Sequence, residues 1–461
     1  MSALARYFKQ RGDEVSGYDR TESPLTQQLV SEGIDVHYDD NVNKIPSEID
    51  LVIYTPAIPK DNNEFLHLTD SGIPMKKRSQ VLGELTIGKK CIAVAGSHGK
   101  TTTSAMIAHL LNESPLGCSA FLGGISKDLD SNMLVNSQSE WVVVEADEYD
   151  RSFLQLHPYY SVITATDPDH LDIYGDHEHM LEAFAQFANQ TDHNGCLFVK
   201  QGIGHPISEE HHHEHHHNHD HCDIDCGLTL DHDLPKRSYT THGIEADYYA
   251  INVRHHKGNI YYDLRTPDKV FYDIELHNSS LYNVENSVVA AAVALTCGLT
   301  EEQLRNGLKS FSGIKRRFEY HINTPQIVYI DDYAHHPQEI AATIESVRYL
   351  YPGKRVVGIF QPHLYTRTAD LYKEFAQALS TLDEIVLMPI YPAREKPIPG
   401  VSSHMIMREI KSMNRYVVNR EDVPEFTVAL FPEVVVSMGA GDIDREVGKI
   451  EKALRDNYIK E

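Results

Sequence analysis

Short, nearly continuous apolar runs recur along the chain, separated by segments in which apolar residues return every three or four positions. Runs of the first kind predict strands buried on both faces; segments of the second kind predict helices packed on them. Residues 3 to 10 read as a helix stopped at Gly12, Glu14-Val-Ser-Gly-Tyr-Asp as a short strand, and Asp50-Leu-Val-Ile-Tyr as another, ended by Thr55-Pro56. A second series opens with Lys90-Cys-Ile-Ala-Val-Ala. It continues through Trp141-Val-Val-Val and Tyr160-Ser-Val-Ile-Thr, with helices predicted over 102–111 and 180–188. A third series holds Val328-Tyr-Ile, Arg355-Val-Val-Gly-Ile-Phe, Glu384-Ile-Val-Leu-Met and Glu433-Val-Val-Val-Ser-Met, with helices from Pro337 and over 369–379. The pattern predicts α/β architecture in three blocks, 1–88, 89–312 and 313–461, which suits a chain of 461 residues.

Composition narrows the class. With 41% hydrophobic and 24% charged residues, the chain reads as globular and soluble. No apolar run approaches the roughly 18–20 residues that span a bilayer, and the opening residues do not form a secretory leader. The six cysteines are scattered apart from Cys222 and Cys226, so a reduced, cytoplasmic protein is expected. A formal charge of −25 argues against a nucleic-acid partner, because phosphate backbones are met by basic surfaces. Within the second block, Glu209 to His221 holds eight histidines, with the two neighbouring cysteines just beyond. This stretch, about 205–226, reads either as a metal-binding loop or as a low-complexity surface insertion without the ordered spacing of a zinc site.

The segment that carries chemistry follows Lys90-Cys-Ile-Ala-Val-Ala. Gly96-Ser97-His98-Gly99-Lys100-Thr101-Thr102 joins that strand to an apolar-periodic helix, the context a phosphate-binding loop requires. Glycines let backbone N–H groups face phosphates, a helix N-terminus favours negative charge, and Lys100 can reach the terminal phosphates. The loop is shorter than the usual G-x-x-x-x-G-K-[ST], since Val94 stands where that pattern has its first glycine. Two further strands end in Glu145-Ala-Asp-Glu148 and Asp167-Pro-Asp-His170. Ligands of open parallel sheets sit beyond the C-terminal strand ends, so Lys100, Thr101, Glu145 and His170 are expected at one edge.

The motifs Gly96-Ser-His-Gly-Lys-Thr-Thr-Thr, Glu145-Ala-Asp-Glu, Asp169-His-Leu-Asp, Asn283-Val-Glu-Asn286, Lys315-Arg-Arg-Phe, Asp331-Asp-Tyr-Ala-His-His-Pro, Gln361-Pro-His-Leu-Tyr-Thr-Arg and Gly439-Ala-Gly-Asp resemble, in this order, those of the Mur ligases. The resemblance runs over essentially the whole chain. His98, the Tyr149-Asp-Arg-Ser-Phe-Leu segment and the pair His335-His336 point to the L-alanine-adding branch. It implies three domains: a Rossmann-like first domain for the UDP end of the substrate, a central P-loop-type ATP domain, and a Rossmann-like C-terminal domain that closes over both. It also implies ATP and Mg²⁺ as cofactors, UDP-N-acetylmuramate and L-alanine as substrates, no membrane partner, and a monomer or homodimer.

By that resemblance Lys100, Glu145, His170 and Arg367 carry catalysis, and Thr101, Glu145 and His170 hold metal. Gly96 to Thr102, Asn283, Asn286, Asp332, Tyr333, His336 and His363 would contact nucleotide or substrate. The family's first domain opens with a strand and a Gly-rich turn ahead of Ser-Ala-Leu-Ala, which here are residues 2–5. A first domain lacking its first strand is therefore expected, and Leu364 stands where some relatives have Arg. Two alternatives are a recycling ligase that adds a tripeptide to the same sugar nucleotide, and a metal-binding protein on a ligase scaffold.

Overall fold

The computed structural model describes residues 1–168, 171–204, 226–241, 246–256, 258–393 and 395–459. His170 and nearly all of the His-rich stretch therefore lie outside the described residues. The chain divides into two compact units, one of residues 1–251, 263–272 and 286–311, the other of 252–262, 273–285 and 312–461. Among the described residues, no helix is long and apolar enough to cross a membrane.

In the first unit the opening helix is Ser2–Arg11. It stops because Gly12 takes a left-handed φ of 98° and turns its N–H back to the carbonyls of Lys9 and Phe8. Four three-residue strands follow: β1 (Ser16–Tyr18), β2 (Asp35–His37), β3 (Val52–Tyr54) and β4 (Met75–Lys77). They form two separate parallel pairs, β1 with β2 and β3 with β4. This part of the chain thus has no continuous sheet among the described residues. Arg6 anchors it instead: its buried guanidinium meets both carboxylate oxygens of Glu32 at 2.7 and 2.8 Å and the Asn132 side-chain oxygen at 2.8 Å.

The large sheet comprises β5 (Lys90–Ala95), β6 (Ser119–Ser126), β7 (Ser131–Leu134), β8 (Trp141–Glu145), β9 (Pro158–Ile163), β10 (Cys196–Lys200), β11 (Lys236–Thr240), β12 (Tyr248–His256), β13 (Asn259–Arg265) and β14 (Val270–Leu276). Its spatial order is β14-β13-β12-β11-β10-β9-β5-β8-β6-β7. β5 lies inside, parallel to β8 on one side and β9 on the other, and Cys91 to Ala95 are fully buried. That burial explains the unbroken apolar run. Alternate residues Cys91, Ala93 and Ala95 join one apolar cluster with Val142, Val144, Phe184, Phe187 and Leu197. The apolar pattern did not mark β11 to β14, because each mixes buried and exposed positions, as in the half-polar Tyr248-Tyr-Ala-Ile-Asn-Val-Arg-His-His.

The second unit is built on β15 (Glu319–Asn323), β16 (Val328–Asp332), β17 (Val356–Phe360), β18 (Glu384–Leu387), β19 (Arg415–Val417) and β20 (Val434–Met438), in the order β15-β16-β20-β17-β18-β19. Every residue of β16, β17, β18 and β20 is buried. β15 alone is antiparallel.

Candidate active site

The phosphate loop leaves β5 between its two neighbours. Val94 pairs with Glu145 at the end of β8, and Ala95 with Ile163 at the end of β9, so all three strand ends meet. The loop's glycines are required by space and conformation. Gly96 has φ 140°, and a β carbon there would stand 2.1 Å from the Thr164 hydroxyl; Gly99 has φ 82°, and a β carbon would stand 2.8 Å from the Asn286 side-chain oxygen. The Ser97 N–H donates to the Ala165 carbonyl at 3.0 Å, and its hydroxyl to that of Asp167 at 2.7 Å. The Thr164 hydroxyl donates to the carbonyls of Ala95 and His98. Helix Lys100–Asn112 starts directly after Gly99, so its free N–H groups open onto the loop.

Lys100 points into a buried acidic corner. Its ammonium donates to the Gly96 carbonyl at 2.5 Å and to Glu148 Oε1 at 2.8 Å, with the Glu148 side chain only 2% exposed. Burial pulls the lysine pKa down, but the charges of Glu148 and Glu145 outweigh it, and the net shift is upward. Burial raises Glu148, and Lys100 opposes that rise. The net shift of Glu148 is upward, with burial the larger influence. Beside them, Glu145 Oε1 accepts from the Thr101 hydroxyl at 3.0 Å and Oε2 from the Gly123 N–H at 2.7 Å. A hydroxyl and a carboxylate at a phosphate loop are hard oxygen donors, the set that Mg²⁺ takes next to a nucleotide. A polyphosphate laid along this loop would also meet the charges of Glu145 and Glu148, which a divalent cation would offset.

In the second unit, β16 ends in two aspartates with their acceptors engaged inside. Asp331 takes the Arg316 guanidinium at 2.9 Å and the Ser437 hydroxyl at 2.6 Å. Asp332 takes the N–H groups of Phe318 at 3.0 Å and Ala334 at 2.9 Å and the Tyr282 hydroxyl at 2.7 Å; burial raises its pKa despite Arg317. The Tyr333 ring lies 5.0 Å from the Arg317 guanidinium. His336 precedes helix Pro337–Leu350, its N–H bonded to Glu339. His363 stacks on Tyr391 at 5.7 Å and lies 6.2 Å from the His335 ring; burial, His335 and Arg367 lower its pKa to about 4. Glu395 caps helix Tyr365–Leu379, accepting the N–H groups of Tyr365 at 2.5 Å and Thr366 at 3.0 Å. Arg367 lies in the first turn of the same helix.

Comparison with known proteins decides the family. The description "Mur ligase family, catalytic domain" matches residues 1–90, "Mur ligase middle domain" residues 94–294, and "Mur ligase, glutamate ligase domain" residues 316–441. A UDP-N-acetylmuramate–L-alanine ligase of Porphyromonas gingivalis is 44% identical over 99% of this chain and 96% of its own. The chain belongs to the Mur ligase family. A second such ligase, from Parabacteroides distasonis, is 45% identical over 98% of this chain and 95% of its own. The crystal structure of UDP-N-acetylmuramate-alanine ligase from Thermotoga maritima superposes with a TM-score of 0.81 at 25% identity, covering 99% of this chain and 96% of that one. Mur ligases are ATP-dependent and have three domains.

Within this Mur ligase, Gly96 to Thr102, Glu145 and Asn286 come together in the first unit. Asn283, Asp332, Tyr333, His336, His363 and Arg367 belong to the second. The motifs left Glu148, Gly123, Thr164 and Glu395 without roles. Glu148 stood inside the Glu145-Ala-Asp-Glu segment, three residues on. Its partner Lys100 is 48 positions away, and no spacing rule joins the two.

Proposed function

We propose that this Mur ligase joins L-alanine to the carboxylate of UDP-N-acetylmuramate, using ATP to make an acyl phosphate. The observation that carries the reading is the pairing of a half-buried Lys100, held by buried Glu148, and a Thr101–Glu145 donor set at a phosphate loop with whole-length similarity to L-alanine-adding ligases. A carboxylate is a poor electrophile toward an amine, and phosphorylation supplies the leaving group. Lys100 exchanges Glu148 for the β- and γ-phosphates and neutralises charge there. Thr101 and Glu145 would hold Mg²⁺, and His170 is assigned a second ion by family resemblance. Ions held there would supply positive charge to offset that on the transferring phosphoryl and on the tetrahedral oxyanion.

Asn286, beneath Gly99, fixes the loop against the helix, and Asn283 with Asn286 is assigned to the adenine side. Arg367, Tyr333, His336 and His363 are proposed to face nucleotide and substrate, with Asp332 holding the backbone of Phe318 and Ala334 in place for them. Neutral His363 adds no charge of its own near Arg367.

The test is direct. Purified protein with ATP, Mg²⁺, UDP-N-acetylmuramate and L-alanine should release phosphate and form the amide detected by mass spectrometry. Hydroxylamine should trap the acyl phosphate when alanine is withheld. Amide formation only with a tripeptide would replace this reading by the recycling activity, and no amide with either would overturn it.

A further inference from the structure

Glu145 is held from two sides, and one of its holders has no side chain. β6 runs parallel to β8, with Phe121 opposite Val144, and its next residues approach the end of β8 where Glu145 sits. There the Gly123 N–H leaves the ladder and donates to Glu145 Oε2 at 2.7 Å, while Thr101 holds Oε1 at 3.0 Å. A β carbon on Gly123 would stand 2.3 Å from Oε1, 2.4 Å from Oε2 and 2.5 Å from Cδ of Glu145. The φ of Gly123 lies outside the left-handed region, so its backbone alone would accept any residue. The demand for glycine here is spatial, and the three nearest atoms that impose it are those of one carboxylate.

We propose that Gly123 is the positioning residue of the metal-holding carboxylate: its amide fixes one oxygen of Glu145, and its missing side chain is the space the carboxylate fills. The inference rests on the reading that Glu145 holds the divalent ion. The three nearest atoms that a methyl group at 123 would meet belong to the far end of a flexible side chain, which can rotate away without moving a strand. The fold should survive that rotation; the ligand position should not. Metal ligands placed even about 0.5 Å out of position lose most of their worth, because coordination is sharply directional.

The experiment uses the full chain as Gly123→Ala, with Glu145→Gln beside it. Binding of Mn²⁺ in the presence of ADP is followed by electron paramagnetic resonance, and binding of a fluorescent ADP analogue is measured in EDTA. Gly123→Ala should need at least about tenfold more Mn²⁺ for half-saturation. Its metal-free ADP binding and thermal midpoint should match the parent, and Glu145→Gln should show the same pattern. Parent-like Mn²⁺ binding in Gly123→Ala with a loss in Glu145→Gln would overturn the inference and leave the metal role of Glu145 standing. Parent-like Mn²⁺ binding in Glu145→Gln would overturn that metal role and the inference with it. A collapsed thermal midpoint in Gly123→Ala would also overturn it, since the clash would then reach beyond the carboxylate.

Discussion

Replacing Lys100 with alanine should cost stability as well as activity. A phosphate-loop lysine is usually counted as an exposed side chain whose loss leaves the fold alone. Here its side chain is 15% exposed and faces a glutamate that is 2% exposed. Removing one member of a buried ion pair costs about 3–5 kcal/mol, and Glu148 can relieve part of that by taking up a proton, so about 3 kcal/mol is expected. The single tryptophan, Trp141, is buried in β8 next to β5, so its fluorescence reports unfolding of this sheet. At a slope of about 3 kcal/mol per M, the urea midpoint of Lys100→Ala should fall by about 1 M. Lys100→Ala with Glu148→Gln should recover most of the loss while remaining inactive.

The pH dependence has a definite sign. Without Lys100, the main force opposing burial at Glu148 is gone, so its folded pKa rises further above the unfolded value. The folded state then keeps a proton that the unfolded chain gives up, and the deficit deepens as pH rises. A Lys100→Ala midpoint equal to the parent's, or a double variant no more stable than the single one, would refute the reasoning.

Arg6→Ala should lower the same fluorescence midpoint by about 2 kcal/mol, below the full cost of a buried pair because Glu32 is partly exposed; an unchanged midpoint would show that Arg6 does not anchor the opening helix. The His363 ring, with its pKa lowered to about 4, should show no proton-resonance titration between pH 5.5 and 8. Its unfolded form binds a proton near pH 6.5, so its contribution to stability is present above that value and lost as pH falls toward 4. An inflection near pH 6.5 in the folded protein would contradict the burial seen here.

What could be read from the chain alone was whatever repeats at short range. β5, β8, β16, β17 and β20 announce themselves because each carries an unbroken apolar run of at least three buried residues. The loop at Gly96 was legible for the same reason, being a strand, a glycine turn and a helix in immediate succession. Of the four three-residue strands, β1 and β3 were read from Glu14-Val-Ser-Gly-Tyr-Asp and Asp50-Leu-Val-Ile-Tyr, while β2 and β4, Asp-Val-His and Met-Lys-Lys, carry too few apolar residues to stand out. Asp331 and Asp332 look alike in sequence, yet their partners Arg316, Ser437, Tyr282 and Phe318 come from three other segments, and only the folded chain tells which oxygens are engaged. Gly123 carried no signal at all, since its constraint is imposed by a side chain 22 positions away.

The underside of the phosphate loop has a kinetic consequence. Thr164, Ala165, Asp167 and Asn286 close against it from segments far apart in the chain, bonding Ser97 and His98 and filling the space beside Gly96 and Gly99. The conformational freedom of that loop is lost once, when the chain folds, and not again whenever a nucleotide arrives. On the role proposed for Lys100, turnover would need no loop-ordering step in this corner of the protein: one ammonium would change partners while the backbone stays still.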